Sequence, residues 1–387
     1  MQRQQQLTDW LSALYPNQPF SLAPASADAS FRRYFRATFA DGSTRVVMDA
    51  PPQHEDCKPF LHIGMLFEEA GAHVPHVYEQ DLTQGFLLLS DLGNSTYLQA
   101  LNKDNARALY GQALDALIKI QLASKPDELP PYDEALLRRE LNLFPDWYIA
   151  KHLGVTLNEK QKAKLEQVFV RIIKNNLAQP CVYVHRDYHS RNLMYIETPL
   201  SNSLPRAGER INEKGNFLPS PGILDFQDAV YGPITYDLAS LFKDAYIKWE
   251  EAEIIDWLVR YWEQARQAGL PVREDFGEFY RDYEMMGVQR HIKVLGIFAR
   301  LYHRDGKDGY LKDMPRVMEY LVKACERYID LKPLLNLLLE LNAQAENPHA
   351  NGHGEYAAPD DETRHARFPH PNPPPAGEGA NVKDVKP

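Results

Sequence analysis

The chain has 387 residues, and 43 basic against 53 acidic side chains give it a formal net charge of −10. This acidic balance argues against nucleic acid as a partner, because binding to a phosphate backbone requires clustered Lys and Arg. The sequence contains no run of about 18 apolar residues, so we expect no membrane span. A chain of this length predicts about two domains.

The three cysteines, Cys57, Cys181 and Cys325, are odd in number and far apart. They do not indicate a disulfide framework, and free thiols are typical of a reducing compartment. We therefore expect a cytoplasmic protein.

Residues 1–92 predict a small β-rich lobe. Apolar residues at helical spacing from Leu7 to Leu14 predict a short amphipathic N-terminal helix. Aromatic and β-branched residues on both sides of Asp41-Gly42 predict a β-hairpin within residues 20–50. Further along the lobe, the pattern predicts a helix over about 58–70 and short strands at 77–78 and 85–89.

Residues 93–343 predict a larger, mainly helical lobe in which two short β segments interrupt long helices. The expected helices are at about 104–123, 134–150, 158–178, 236–267, 275–303 and 311–342, and the β segments are at 181–184 and 223–226. Residues 199–221 are predicted to be a low-complexity insertion and residues 344–387 a disordered tail, because Pro, Gly and polar residues dominate both. The predicted fold class is α+β, with an antiparallel sheet lobe carrying one helix, followed by a large α-helical lobe.

Polar side chains follow both β segments of the second lobe. His185-Arg186-Asp187 comes directly after the first, Asn192 stands five residues beyond Asp187, and Asp225 ends the second. Carboxylate and amide oxygens are the ligands that Mg²⁺ prefers. Loops on a rigid scaffold also often carry function. This part of the sequence therefore predicts an active site.

The pattern resembles the catalytic loop of the protein-kinase-like phosphotransferases, and Asp225-Phe226-Gln227 resembles their metal-binding Asp-Phe-Gly turn. Tyr188–Asn192 and Tyr236–Ala239 are closer to the aminoglycoside phosphotransferase family than to the protein kinases. The resemblance implies a bilobal protein-kinase-like fold, with a nucleotide-binding lobe before residue 93 and a catalytic and acceptor-binding lobe after it. It also implies ATP- and Mg²⁺-dependent transfer of phosphate to an alcohol.

Within this family, Asp28–Arg36, Met48–Pro51 and Asp225–Pro233 resemble the branch of anomeric kinases that serve cell-wall recycling. That branch phosphorylates N-acetylmuramate and N-acetylglucosamine at C1. The resemblance therefore implies ATP and a small amino sugar as the partners of this chain, in a cytoplasmic pathway of peptidoglycan recycling. We expect a monomer.

The resemblance also implies roles for individual residues. Asp187 would orient the acceptor hydroxyl and take its proton. Asn192 would act in catalysis and bind Mg²⁺ together with Asp225. His185 would hold the catalytic loop through nearby backbone, and Asp237 would tie the following helix to that loop.

The nucleotide side departs from the family pattern, because the strand Arg45–Asp49 contains no Lys to hold the α- and β-phosphates, and no Gly-rich loop precedes it. We predict that Ser30 and an arginine bind the phosphates in place of this Lys and this loop. The candidates are Arg32, Arg33 and Arg36, and we favour Arg32. Alternate residues of a strand share a face, so Arg32 and Arg36 should point together and Arg33 away from them.

Two further sets of contacts are predicted. The segment at Ser90 and Leu92 resembles the hinge whose backbone meets the adenine edge. For the acceptor, Arg139 and Arg290 could bind a sugar carboxylate, since Arg suits bidentate contact with carboxylates, and Trp147 could stack on a sugar face.

Three alternatives remain open. His185-x-Asp187-x-His189 could ligate a metal in a hydrolase. The missing Lys could indicate a binding module that has a kinase-like shape without catalysis. A kinase of the same fold could act on an aminoglycoside or a choline-like alcohol, although an aminoglycoside site needs several acidic residues and the candidate acceptor segments are mixed or basic.

Overall fold

The computed structural model describes residues 2–27, 31–196 and 220–346. Ser30, nearly all of the predicted insertion and the tail from residue 347 lie outside the described residues. Five strands form an antiparallel sheet in the first part of the chain: β1 Phe20–Ala27, β2 Arg33–Phe39, β3 Thr44–Asp49, β4 Val77–Asp81 and β5 Phe86–Ser90. Their order across the sheet is β1-β2-β3-β5-β4.

Helices cover both faces of this sheet. On one face lies α1 (Gln2–Leu14), which was predicted from its spacing, and on the other lies α2 (Lys58–Glu69), the helix expected within the lobe. Because successive side chains of a strand point to opposite faces, β5 is apolar along almost its whole length. Its core residues are Phe86 and Leu88 on the α1 side, and Leu87 and Leu89 on the α2 side.

The rest of the chain is mainly helical, which confirms the predicted fold class. The helices are α3 Tyr97–Ala100, α4 Ala106–Leu122, α5 Glu134–Leu141, a π-helix Phe144–His152, α6 Glu159–Leu177, α7 Tyr236–Phe242, α8 Glu251–Gln267, α9 Phe276–Asp305, α10 Met314–Arg327 and α11 Lys332–Glu346, with 3₁₀ turns at Asp308–Asp313 and Ile329–Leu331. Two short antiparallel ladders pair β6 Cys181–Val184 with β9 Val230–Pro233, and β7 Leu193–Met194 with β8 Gly222–Ile223. None of the helices in the described ranges is long and apolar enough to cross a membrane.

Several predicted helices are shorter than their periodicity suggested. The segment predicted at 236–267 is interrupted after Phe242, where the two carboxylate oxygens of Asp244 accept hydrogen bonds from the backbone N–H groups of Ser190 and Tyr246. Such local side-chain bonds compete with helical ones. The segment predicted at 311–342 divides into a 3₁₀ turn, α10, a second 3₁₀ turn and α11.

Three other boundaries also differ. The helix predicted at 134–150 changes after α5 into the π-helix. The β segment predicted at 223–226 ends at Ile223, because Asp225 adopts the left-handed region with φ of 63°. Residues 344–346, which were assigned to the tail, still belong to α11.

The turn between β4 and β5 offers a test of the close packing in the sheet. Gly85 has φ of +73°, and a Cβ there would lie 1.9 Å from the carbonyl oxygen of Ala50. Gly42, between β2 and β3, has a similar φ of +83° with nothing within 4 Å. We expect Gly85→Ala to lower the free energy of unfolding by about 2 kcal/mol more than Gly42→Ala, because both substitutions impose a left-handed Ala but only one also creates a clash.

Urea denaturation of the two variants and the wild-type protein would measure this difference. Equal losses in the two variants would contradict the close approach of Gly85 to Ala50.

Candidate active site

The catalytic loop follows β6 after Val184, and a side chain in the first turn of α7 binds its backbone. The carboxylate of Asp237 accepts hydrogen bonds from the backbone N–H of His185 at 2.7 Å and of Arg186 at 3.0 Å. Arg186 has φ of 77°, a left-handed conformation that is costly for a residue other than Gly. The two bonds stabilise this turn. Burial raises the pKa of Asp237 to about 7, although both N–H donors act in the opposite direction.

His185 connects the loop to the segment that follows β8. Its Nε2 lies 3.0 Å from the carbonyl oxygen of Leu224, and its Nδ1 accepts the N–H of Asp187 at 3.2 Å. Burial lowers the pKa of His185 to about 4, so the ring is neutral at pH 7. A neutral imidazole has one donor and one acceptor nitrogen, which matches Nε2–H donating to Leu224 and Nδ1 accepting. Both nitrogens are therefore occupied.

Asp187 is half-buried at the tip of the loop. Burial by itself would raise the pKa of its carboxyl, but the positive charge of Lys293 and the nearby His189 and Arg290 outweigh it and lower the pKa to about 2. Asp187 is thus ionised at neutral pH and can accept a hydrogen bond from a hydroxyl group.

Asn192 and Asp225 lie next to each other although they are 33 residues apart in the sequence. The Nδ2 of Asn192 donates to the backbone oxygen of Asp187 at 3.0 Å and to Oδ2 of Asp225 at 3.2 Å. On its other side, Gln227 Nε2 donates to Oδ1 of Asp225 at 2.8 Å. The structure therefore brings together the three residues that the motifs singled out.

A cleft of about 410 Å³ opens between the sheet and these residues. Its walls include Val46 from β3, Ser90 and Leu92 after β5, and Asn192 and Asp225. Mostly apolar walls with a few polar groups are typical of a ligand site. Both residues of the predicted hinge thus line the same cleft as the predicted metal ligands.

One arginine of β2 holds the hinge segment in place. Arg36 forms two hydrogen bonds with the carboxylate of Asp91, at 2.6 and 2.9 Å, and a third with the carbonyl oxygen of Gly93 at 3.1 Å. Arg36 also lines the cleft. Its bidentate geometry is the strong form of such a pair, so it connects the sheet to the chain that leads into α3.

The other two candidate arginines have different partners. Arg33 pairs with the buried Asp49, which also receives Arg3 from α1, and this agrees with the strand alternation that separates Arg33 from Arg36. Arg32 lies just before β2, pairs with Glu55 at 3.4 Å, and is not among the residues that line the cleft.

A second cavity of about 800 Å³ lies beside the first, and we call it the acceptor cavity because Arg139, a predicted acceptor contact, lines it. It is defined by residues from α2, α5, α9, the loop before α5, the catalytic loop and the segment after Asp225. Those lining the cavity are Asp56, Lys58, Pro59, His62, Ile63, Glu128, Leu129, Pro130, Leu136, Arg139, Glu140, Leu143, Arg186, Gln227, Asp228, Ala229, Val230, Lys293, Ile297 and Arg300. Asp225 lines the first cleft and Gln227 the second, so the two cavities meet across this short segment.

The three predicted acceptor contacts are placed differently. Arg139 lines the acceptor cavity. Arg290 is only 5% exposed and its charge helps to lower the pKa of Asp187, but it does not line the acceptor cavity. Trp147 is half-buried in the π-helix and lines neither cavity, because its side chain packs against the hydrophobic core.

A buried ionic cluster inside the acceptor cavity was missed by reasoning from the sequence. Glu140 is paired with Lys293 at 3.0 Å and with Arg186, and it accepts hydrogen bonds from Tyr132 and Gln289. Burial would raise the pKa of Glu140, but the two cations and Tyr132 lower it to about 2. Its position on the apolar face of α5, next to Leu137 and Leu141, was the available signal.

The model of the phosphotransferase enzyme family APH matches residues 21–201 and 215–276 of the chain. The chain belongs to this family. It is therefore a phosphotransferase, and the site described above lies within the matched residues.

Curated relatives are nearly half identical in sequence to this chain. A protein named N-acetylmuramate/N-acetylglucosamine kinase from Neisseria meningitidis is 49% identical over 345 residues, which cover 88% of this chain and 96% of that protein. A protein of the same name from Pseudomonas putida is 48% identical over 353 residues, which cover 89% and 98%. The match thus extends over nearly the whole length of both relatives.

Among solved structures, a choline/ethanolamine kinase family protein from Mesorhizobium loti superposes with a TM-score of 0.55 at 13% identity, covering 87% of this chain and 98% of that one. At this identity the similarity shows the fold alone. The bilobal kinase-like fold that the motifs implied is confirmed.

The hydrolase alternative does not fit this phosphotransferase. It required His185 as a metal ligand, yet both ring nitrogens of His185 are engaged with backbone groups. Within the described ranges, no group of three or more His, Cys, Asp or Glu side chains could hold a metal ion together.

The raised pKa of Asp237 predicts a pH-dependent contribution to stability. The folded protein keeps the proton on this carboxyl up to about pH 7, whereas a carboxyl in the unfolded chain loses it near the usual 3.8. The folded state therefore binds more protons in this window, and the contribution of Asp237 to stability falls as the pH rises from about 4 to 7. In Asp237→Asn this titration is absent.

We expect the difference in unfolding free energy between wild type and Asp237→Asn to decrease between pH 4.5 and 7 and to level off above it. Urea denaturation at several pH values measures this directly. A difference that stays constant between pH 4.5 and 7 would mean that the two N–H donors outweigh burial and that the pKa of Asp237 is not raised.

Proposed function

We propose that this phosphotransferase is an ATP-dependent kinase that phosphorylates the anomeric C1 hydroxyl of N-acetylmuramate, N-acetylglucosamine or both, in peptidoglycan recycling. The names of two relatives at nearly half identity support the amino-sugar acceptor. The observation that carries the catalytic part is that Asn192 donates hydrogen bonds to the backbone oxygen of Asp187 and to the carboxylate of Asp225, and that Asn192 and Asp225 line the cleft.

The neighbouring cavities suggest how donor and acceptor are held. A nucleotide in the cleft would lie against the hinge at Ser90 and Leu92, and a sugar in the acceptor cavity would approach from the side of Gln227 and Asp228. Holding the two reactants in line across the segment at Asp225 supplies the positioning on which phosphoryl transfer depends.

Asp187 would act on the sugar hydroxyl. Because the pKa of its carboxyl is about 2, this group stays ionised and is a weak base. It would orient the hydroxyl through a hydrogen bond and accept the proton late, as the sugar oxygen bonds to the γ-phosphorus of ATP and the bond from that phosphorus to the leaving ADP breaks. His185 and Asp237 would serve this step by fixing the loop that carries Asp187.

The donor set at the cleft fits a magnesium ion. Asn192 offers an amide oxygen and Asp225 a carboxylate, and Mg²⁺ is commonly held by one or two carboxylates together with phosphate oxygens and water. Bound there, the ion would neutralise the charge on the transferring phosphoryl group. Ser30 and Arg32 stay our candidates for the phosphate contact; Arg32, like Arg33 and Arg36, already pairs with a carboxylate, and Arg36 is the one of the three that lines the cleft.

The acceptor and the position of transfer can be tested together. The purified protein would be screened for ATP consumption over N-acetylmuramate, N-acetylglucosamine, an aminoglycoside and choline, and the product analysed by phosphorus NMR. We expect turnover with the two amino sugars and a phosphate ester at C1. Transfer to C6, or turnover only with choline or the aminoglycoside, would contradict the proposal.

Substitution of Asp187 tests the assigned chemistry. We expect Asp187→Asn to lower kcat by about a thousandfold while ATP binding stays unchanged, because the neutral amide cannot accept the proton. Steady-state kinetics and a nucleotide-binding titration would measure the two effects. Asp256→Asn is the matched control, since Asp256 is a surface residue of α8 that pairs with Arg260. A comparable loss in the control, or loss of ATP binding in Asp187→Asn, would contradict the assignment.

A further inference from the structure

A side-chain hydrogen bond joins the two cavities. Gln227 lines the acceptor cavity, and its Nε2 donates to Oδ1 of Asp225 at 2.8 Å. Asp225 lines the first cleft. The bond therefore runs from a side chain on the acceptor side to the carboxylate that we propose for Mg²⁺.

The backbone that carries these two side chains is fixed to the catalytic loop at both ends. The N–H of Leu224 donates to the backbone oxygen of Asn192 at 2.9 Å, and the carbonyl oxygen of Leu224 lies 3.0 Å from Nε2 of His185. At the other end, the carbonyl oxygen of Asp228 accepts a hydrogen bond from Nη1 of Arg186 at 3.2 Å. The side chains between these ends therefore start from a fixed position.

The residue between the two side chains is anchored in the hydrophobic core. Phe226 is fully buried, and its ring centroid lies 4.9 Å from that of Phe60 and 5.9 Å from that of Phe67, both on α2. Aromatic pairs at these distances contribute to stability beyond the area that they bury. Phe226 thus adds a third attachment to this segment.

Gln227 and Asn192 bind different oxygens of the Asp225 carboxylate. Gln227 donates to Oδ1, and Asn192 donates to Oδ2 at 3.2 Å. The bond from Gln227 leaves Oδ2 beside Asn192, which is the other predicted magnesium ligand. Residues that bind a metal-ligating carboxylate from outside orient it and affect the affinity for the metal.

The remaining atoms of the Gln227 amide are available on the acceptor side. The side chain is half-buried, and within the described ranges Oε1 and the second N–H of Nε2 have no hydrogen-bond partner. An amide offers both a donor and an acceptor. The hydroxyl and acetamido groups of the two proposed sugars carry donors and acceptors that match it.

We infer that Gln227 is a positioning residue that binds the acceptor sugar and at the same time orients Asp225 for Mg²⁺. This inference rests on the proposed function and adds to it a link between the two substrates. A hydrogen bond accepted by Oε1 polarises the amide and strengthens the bond that its N–H donates. Binding of the sugar therefore favours binding of the magnesium nucleotide, and the converse holds to the same extent.

The effect on Asp225 is tested without sugar. Gln227→Met keeps the length of the side chain and removes the amide. With ADP bound, we expect the affinity for Mn²⁺, a paramagnetic substitute for Mg²⁺ measured by electron paramagnetic resonance, to fall about tenfold. Unchanged binding of adenosine shows that the variant is folded.

Gln84→Met is the matched control. Gln84 is also half-buried, and its Nε2 donates to the carboxylate of Asp81 at 2.8 Å in the turn between β4 and β5. It lines neither of the two described cavities. The control should therefore leave the affinity for Mn²⁺ unchanged.

The link between the substrates is tested by calorimetry. A non-hydrolysable ATP analogue with Mg²⁺ is titrated with and without saturating N-acetylglucosamine. We expect the sugar to raise the affinity for the analogue about threefold in the wild type and in Gln84→Met, and to leave it unchanged in Gln227→Met. The KM for the sugar should rise in Gln227→Met alone.

An unchanged affinity for Mn²⁺ in Gln227→Met would overturn the inference. So would a wild type that phosphorylates the sugar without this link, or a link that persists in Gln227→Met. If the wild type phosphorylates neither sugar, the proposed function is wrong. A weaker affinity of Gln227→Met for Mn²⁺ would then still support the orientation of Asp225, and an unchanged one would overturn it.

Discussion

The active site depends on the hydrogen bonds that the carboxylate of Asp237 accepts from the catalytic loop. This carboxylate lies fully buried at the start of α7 and accepts the N–H groups of two successive residues of the catalytic loop. Without these acceptors, His185 and Arg186 would bury unsatisfied donors, and the left-handed turn at Arg186 would lose its compensation. The position of Asp187 is therefore determined by a residue 50 positions away in the sequence.

A second constraint shapes the acceptor side. Glu140 forms ion pairs with both Lys293 and Arg186 within a mostly buried cluster, and removing this carboxylate would leave two buried cations without their partner. Outside this cluster, the cavity is lined by three basic residues, Lys58, Arg139 and Arg300, and three acidic ones, Asp56, Glu128 and Asp228.

Much of the fold follows from local signals. The apolar spacing in α1 and α2 and the hairpin around Gly42 were read correctly, because each depends on residues close in sequence. The interruption after Phe242 could not be foreseen in this way. It depends on Asp244 meeting the backbone of Ser190, a contact between distant segments. The three motif residues were singled out because their spacing resembles a known family.

The sequence by itself determined the α+β fold and singled out Asp187, Asn192 and Asp225 as candidate site residues, since alternation, helical periodicity and motif spacing are properties of neighbouring residues. Only the tertiary structure decided which arginines form ion pairs with carboxylates. In the structure, Arg36 forms an ion pair with Asp91 of the hinge segment, and Arg33 forms one with Asp49. Arg139 and Arg300 have no carboxylate partner in the described part of the chain. The physical reason is that an ion pair depends on the distance between charged groups in space, and that distance is set by how α5, α9 and the sheet pack.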